Sequence, residues 1–115
     1  MMESILTDTK KMLGIPSDYK HFDTDITIHI NSALMTLNQL GVGPTKTASI
    51  SSDMDTWTNV LGDISDIEAV KTYIYLKVKM LFDPPTSSFV MDAMNRQATE
   101  LEWRLNTQTE YNKEV

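Results

Sequence analysis

The chain has 115 residues, a formal net charge of −6 and no cysteine. That length fits one domain able to bury about two-thirds of its unfolded surface, and the missing thiols exclude disulfides and thiolate metal sites and fit a reducing compartment. Acids outnumber bases sixteen to ten, a balance that disfavours tight general binding to phosphate backbones.

The excess charge forms no tail, since residues 1–65 hold eight acids and four bases and residues 66–115 eight acids and six bases. Met1-Met2-Glu3-Ser4 leads into no apolar run, so no signal peptide is expected. The longest purely apolar run, Tyr73-Ile74-Tyr75-Leu76, is too short for a bilayer. A soluble chain made in the cytoplasm is expected. Its eight methionines suit either a core or a surface that must fit a partner.

A first helix is expected over residues 3–13, with Ile5, Thr9, Met12 and Leu13 inward; Gly14 offers a left-handed cap and Pro16 the stop. A second begins near Asp23, where Thr24 and Asp25 add a cap and negative charge at the positive end of the helix dipole. It continues through Ile26, Ile30, Leu34, Leu37 and Leu40 and ends at Gly41-Val42-Gly43-Pro44. Residues 45–53 form an irregular central loop in which Ala48 and Ile50 allow a short strand. A brief helix over 54–61 follows, with Trp57 and Leu61 as anchors.

The strongest pattern is a long helical hairpin. Ser65-Asp66-Ile67-Glu68 matches a capping box, with Ile64 and Ala69 at the staple positions. The first arm, 66–82, repeats Ile67, Val70, Ile74, Val78 and Leu81 at helical spacing. Pro84 and Pro85 forbid continuation. The second arm, 87–106, places Val90, Met94, Ala98, Leu101 and Leu105 on one face. The tail at about 107–115 loses periodicity and is expected to be flexible. The fold expected is therefore all-α, a single domain over 1–115 with about four principal helices.

Chemistry is hard to find. His21, Asp23, Asp25 and His29 lie close in sequence, but a zinc site needs three or four converging ligands with supporting contacts. A capped helix with a local Asp–His pair is the plainer reading. Asp53-Met54-Asp55 hints at a calcium loop, yet Trp57 and Thr58 stand where an oxygen ligand and the turn glycine belong. No phosphate loop or nucleophile elbow is present, and Glu100 and Glu102 point to different helix faces. No enzyme, no cofactor and no metal are expected. Lys71, Lys77 and Lys79 read as the solvated or acid-paired side of the first arm. Trp103, followed by Arg104 and then by Tyr111 in the tail, reads either as the end of the core or as an interface anchor.

Several stretches form a set when taken in order. They are Met12-Leu13-Gly14-Ile15, Asp23-Thr24-Asp25-Ile26 leading to His29-Ile30-Asn31-Ser32-Ala33, and Leu40-Gly41-Val42-Gly43-Pro44. Trp57 before Leu61-Gly62, the run from Glu68 to Lys77, and Leu81-Phe82-Asp83-Pro84-Pro85 complete it. By order and spacing, over most of residues 5–105, the set resembles the head–tail connector (adaptor, or head-completion) family of tailed bacteriophages. The resemblance implies a small helical structural subunit that forms a ring, typically of twelve copies, beneath the portal at the head–tail junction of the virion. Such a ring extends the DNA channel, lets double-stranded DNA pass without specific binding, and presents a platform to the next neck or tail protein. Trp103, Arg104, Tyr111, Lys71 and Tyr75 are then the candidate portal or inter-subunit contacts. Residues 45–55 and 107–115 match the family pattern least.

The alternative from another class is a small helical dimeric regulator of DNA or a protein partner. It lacks a basic recognition helix, because the second arm offers Arg96 and Arg104 against Asp92, Glu100 and Glu102. A metal-dependent enzyme built on His21, Asp25 and His29 stands further back.

Overall fold

The computed structural model describes residues 4–44, 48–64 and 66–114, with side chains as far as Thr109. It contains five helices: α1 Ile5–Met12, α2 Asp23–Gln39, α3 Trp57–Leu61, α4 Ile67–Phe82 and α5 Ser88–Glu114. Among the described residues there is no strand, only an isolated antiparallel bridge between Ser4 and Thr56. The short strand allowed at Ala48 and Ile50 is therefore corrected. Ile50 is held by a side chain instead: Asn31 Nδ2 donates to its carbonyl at 3.0 Å, and its amide donates to Asn31 Oδ1 at 2.7 Å. One amide group serves both backbone groups of Ile50, so no second strand is needed.

The helix ends are set by local chemistry. Ser4 caps α1 by accepting from the Thr7 amide at 3.2 Å. At its other end the Ile15 amide donates to the Lys10 carbonyl at 2.8 Å and the Gly14 amide to the Lys11 carbonyl at 3.1 Å. Gly14 has φ 81°, so this is a Schellman closure with glycine in the left-handed position. The same pair of bonds closes α2, from Val42 to Leu37 and from Gly41, φ 85°, to Asn38. At the start of α2 the cap residue is Phe22, with no side-chain hydrogen bond. Asp23 is drawn elsewhere: its Oδ1 lies 2.7 Å from Lys10 Nζ. The Ser65 half of the expected capping box lies outside the described residues, and Asp66, the cap of α4, makes no side-chain bond.

The first arm of the hairpin is the centre of the domain. α4 packs against α1, α2 and α5, and no residue from Ala69 to Met80 is exposed. Val70, Ile74 and Val78 are buried as their spacing predicts, but so are Tyr73, Leu76 and Met80 on the other sides. A helix buried over more than one face has neighbours on several sides, and its half-buried lysines mark the side left to solvent. Ile26, Ile30, Leu34 and Leu37 of α2 and Ile5 and Leu6 of α1 complete the core. Each such side chain contributes roughly 1.5–3 kcal/mol through burial. Met12, Leu81 and Val90, assigned inward by spacing, are instead exposed. Leu81 and Val90 flank the hairpin turn, beyond Met80, the last buried residue of α4.

The second arm runs further than its apolar pattern. α5 continues to Glu114, past the end expected at 106. Its 27 residues span about 40 Å at 1.5 Å per residue, close to the longest dimension of the molecule, 44 × 36 × 22 Å. α5 packs chiefly on α4 through Ala98 and Leu105, with Met91, Met94 and Leu101 partly buried. Asn106 ties it to α2 by donating from Nδ2 to the Leu40 carbonyl at 3.2 Å.

Candidate interaction surface

Trp103 stands on the outer side of α5 and is 68% exposed. Beside it, Arg104 pairs with Glu100 one turn back at 2.7 Å, both ends well exposed. Trp103, Arg104, Thr107, Gln108 and Asp66 line an open groove of about 360 Å³. Tyr111 lies on the same helix, with its side chain outside the described set. The structure thus brings Trp103 and Arg104 together and leaves both reachable.

Lys71 and Tyr75 sit elsewhere, on the central helix. Lys71 Nζ is 5.5 Å from the centre of the Trp57 ring and 3.6 Å from Glu68. Trp57 is buried and donates from Nε1 to Asp8 at 2.8 Å. Lys71 therefore closes a cation–π and charge cluster that staples α3 to α1 and α4. Lys79 pairs with Asp83 at 2.7 Å, so both lysines are acid-paired. Tyr75 is half-buried against the core.

Other large apolar side chains in solvent were not singled out by sequence. Phe89 is 76% exposed in the first turn of α5, close in sequence to Leu81 and Val90 across the hairpin turn. Ile28 and Met35 are more than half exposed on α2. A signal did exist for Phe89. It lies outside the Val90–Met94–Ala98–Leu101–Leu105 spacing, and an aromatic off the apolar face of an amphipathic helix is placed toward solvent.

The polar candidates have internal duties. His21 stacks edge-on to Phe22 at 4.8 Å between ring centres, and His29 lies 6.5 Å from Phe82. Among the described residues no three His, Cys, Asp or Glu side chains converge on a common point. Asp55 Oδ2 accepts from the amides of Ser51 at 2.7 Å and Ser52 at 3.1 Å, which holds its carboxyl below the ordinary range. Tyr73, fully buried, donates to Glu102 Oε2 at 2.6 Å. Burial, and then the Glu102 carboxylate, push its hydroxyl well above the usual tyrosine value.

What remains is a surface on which large apolar and aromatic side chains, Phe89 and Trp103 among them, stand in solvent beside the charged groups of α5. A family model described as phage connector protein matches residues 5–112. The chain belongs to that family. No curated protein and no solved structure matches it. Connector membership makes it a structural protein of a bacteriophage and agrees with the all-helical architecture. Among the described residues, no helix of this connector is long and apolar enough to cross a membrane.

Proposed function

We propose that the chain is a ring-forming subunit of the head–tail junction. It sits beneath the portal, continues the DNA channel, and offers its far side to the next neck or tail protein. The observation that carries this reading, beside family membership, is α5. A 27-residue helix resting chiefly on one neighbour, with Phe89 and Trp103 in solvent, leaves apolar surface that an isolated subunit does not need. Neighbouring copies and the portal between them would cover it.

The net charge of −6 suits a channel wall, since like charge keeps the phosphate backbone from adhering as DNA moves. A ring of twelve copies, synthesis in the bacterial cytoplasm and a final place in the virion follow the family's pattern. Of the candidate contacts whose side chains are described, Trp103 and Arg104 are the most accessible, and they are assigned to the portal side with Tyr111. Lys71 and Tyr75 would meet a neighbouring subunit only along their exposed edges. Co-sedimentation with the cognate portal oligomer tests the assignment. Trp103→Ala should weaken binding more than about tenfold, as loss of an aromatic anchor does. Unchanged binding by this variant would remove Trp103 from the docking surface.

A further inference from the structure

Phe89, Arg96 and Trp103 recur along α5 at seven-residue steps, a spacing that drifts only about 20° per step on a helix. They form one straight stripe. Ala98, two residues beyond Arg96, is about 200° further round and is buried against the body, as is Leu105. The stripe therefore lies on the side of α5 opposite its packed face, with Phe89, Asp92, Arg96, Glu100, Trp103 and Thr107 all exposed.

The charges on and beside this stripe alternate. Asp92, Arg96, Glu100 and Arg104 follow one another at four-residue steps as acid, base, acid, base. Set parallel and in register against itself, the series opposes like charges. Turned antiparallel about a centre at position 98, it sets Asp92 against Arg104 and Arg96 against Glu100, so every charge meets its opposite. The same register lays Phe89 over Thr107 and Trp103 near Ala93, a small residue beneath each ring. Within one copy, only Glu100 and Arg104 of these four make an ion pair, which leaves Asp92 and Arg96 available to a neighbour.

We propose that the free chain pairs with a second copy of itself through this outer stripe, the two α5 helices antiparallel and Arg96 of each copy facing Glu100 of the other. The stripe from Phe89 to Thr107 is about 28 Å long and about 10 Å wide. That is well short of the roughly 1,600 Å² total of a standard stable interface, so the pair is weak and reversible. A twofold pair also closes on itself and cannot extend into a ring. It is a state of the unassembled subunit. If the ring reading above holds, pairing keeps the Phe89 and Trp103 rings covered until the portal competes for them; the pairing itself does not depend on that reading.

Charge reversal tests it by sedimentation of the full chain across a concentration series. Wild-type protein should move from monomer to dimer as concentration rises. Arg96→Glu and Glu100→Arg should each raise the dissociation constant more than about tenfold, because each sets like charges together twice. An equimolar mixture of the two variants should pair again, although both chains remain net acidic and have no general attraction. Both substitutions in one chain should also restore pairing, and unchanged helix content by circular dichroism confirms folding. A wild type that stays monomeric throughout, single variants that pair as well as wild type, or a mixture no better than its components would each overturn the proposal. A monomeric wild type that still joins the portal would sink the pairing and leave the connector reading standing.

Discussion

Lys10 is the residue on which the join between α1 and α2 turns. Its side chain is 2% exposed, and its ammonium donates to the carbonyls of Tyr19 at 2.7 Å and Ser17 at 3.2 Å while facing Asp23 Oδ1 at 2.7 Å. That oxygen is buried without an aligned donor, so its bond to Lys10 is mainly Coulombic. Removing one member of a fully buried charge pair costs about 3–5 kcal/mol because the other is left stranded; Asp23, 23% exposed, keeps some contact with water, so the cost here falls toward the low end. Lys10→Met keeps the stem but strands Asp23 and two carbonyls. Thermal unfolding should fall by about 10 °C or more. Lys10 stands in the last turn of α1, and its partners lie in the connector that follows, where no local pattern announces them.

Tyr73 and Asp55 give pH signatures of opposite sign. Tyr73 has its hydroxyl pKa raised in the fold, chiefly by burial. The stability it contributes is complete below the ordinary value of 10.0 and is lost as pH rises above it. Tyr73→Phe should cost about 1–2 kcal/mol at neutral pH through the lost bond to Glu102, and the gap to wild type should narrow above pH 10.0. Asp55 has its pKa lowered, first by the Ser51 and Ser52 amides. Its contribution is complete above the ordinary value of 3.8 and fades as pH falls below it. Asp55→Asn should therefore converge with wild type in acid. Denaturant titrations at a series of pH values check both. A gap that stays constant through either window would contradict the assignment.

At the scale of elements, α4 and α5 show how far periodicity carries. The spacing of Val70, Ile74 and Val78 marks a helix with one inward face, and that face is buried. It does not reveal that Tyr73, Leu76 and Met80 are buried as well, because they lie off that spacing and are covered by neighbours distant in sequence. The closures at Gly14 and Gly41 were legible, being short-range backbone chemistry. The clasp of Asn31 on Ile50, the Trp57–Asp8 bond and the Asn106–Leu40 bond join residues far apart in sequence, where spacing carries no signal. Trp103 was legible as a candidate but not as exposed, since an aromatic near a helix end fits either side. Ala98 tests the α4–α5 seam: it is 3% exposed where the two helices meet. Ala98→Leu should overpack that seam, cost about 1–3 kcal/mol, and speed hydrogen exchange in α5 before α2. Equal protection of both helices in the variant would show that α5 is not separately docked.

The whole molecule is a compact helical body with one long helix laid along its edge. Its radius of gyration is 14.1 Å, slightly above the roughly 13 Å expected for a chain of this size. The body supplies stability; the edge supplies surface. Family membership over residues 5–112 makes the chain a structural protein of a phage, and under the proposed ring reading that surface is where neighbours and the portal would meet it. Mass determination of the intact protein, alone and then with its cognate portal oligomer, tests this account most directly. The account predicts monomer and weak dimer alone, and one large discrete assembly in which many copies join each portal. Protein that keeps its free mass in the presence of the portal would contradict it.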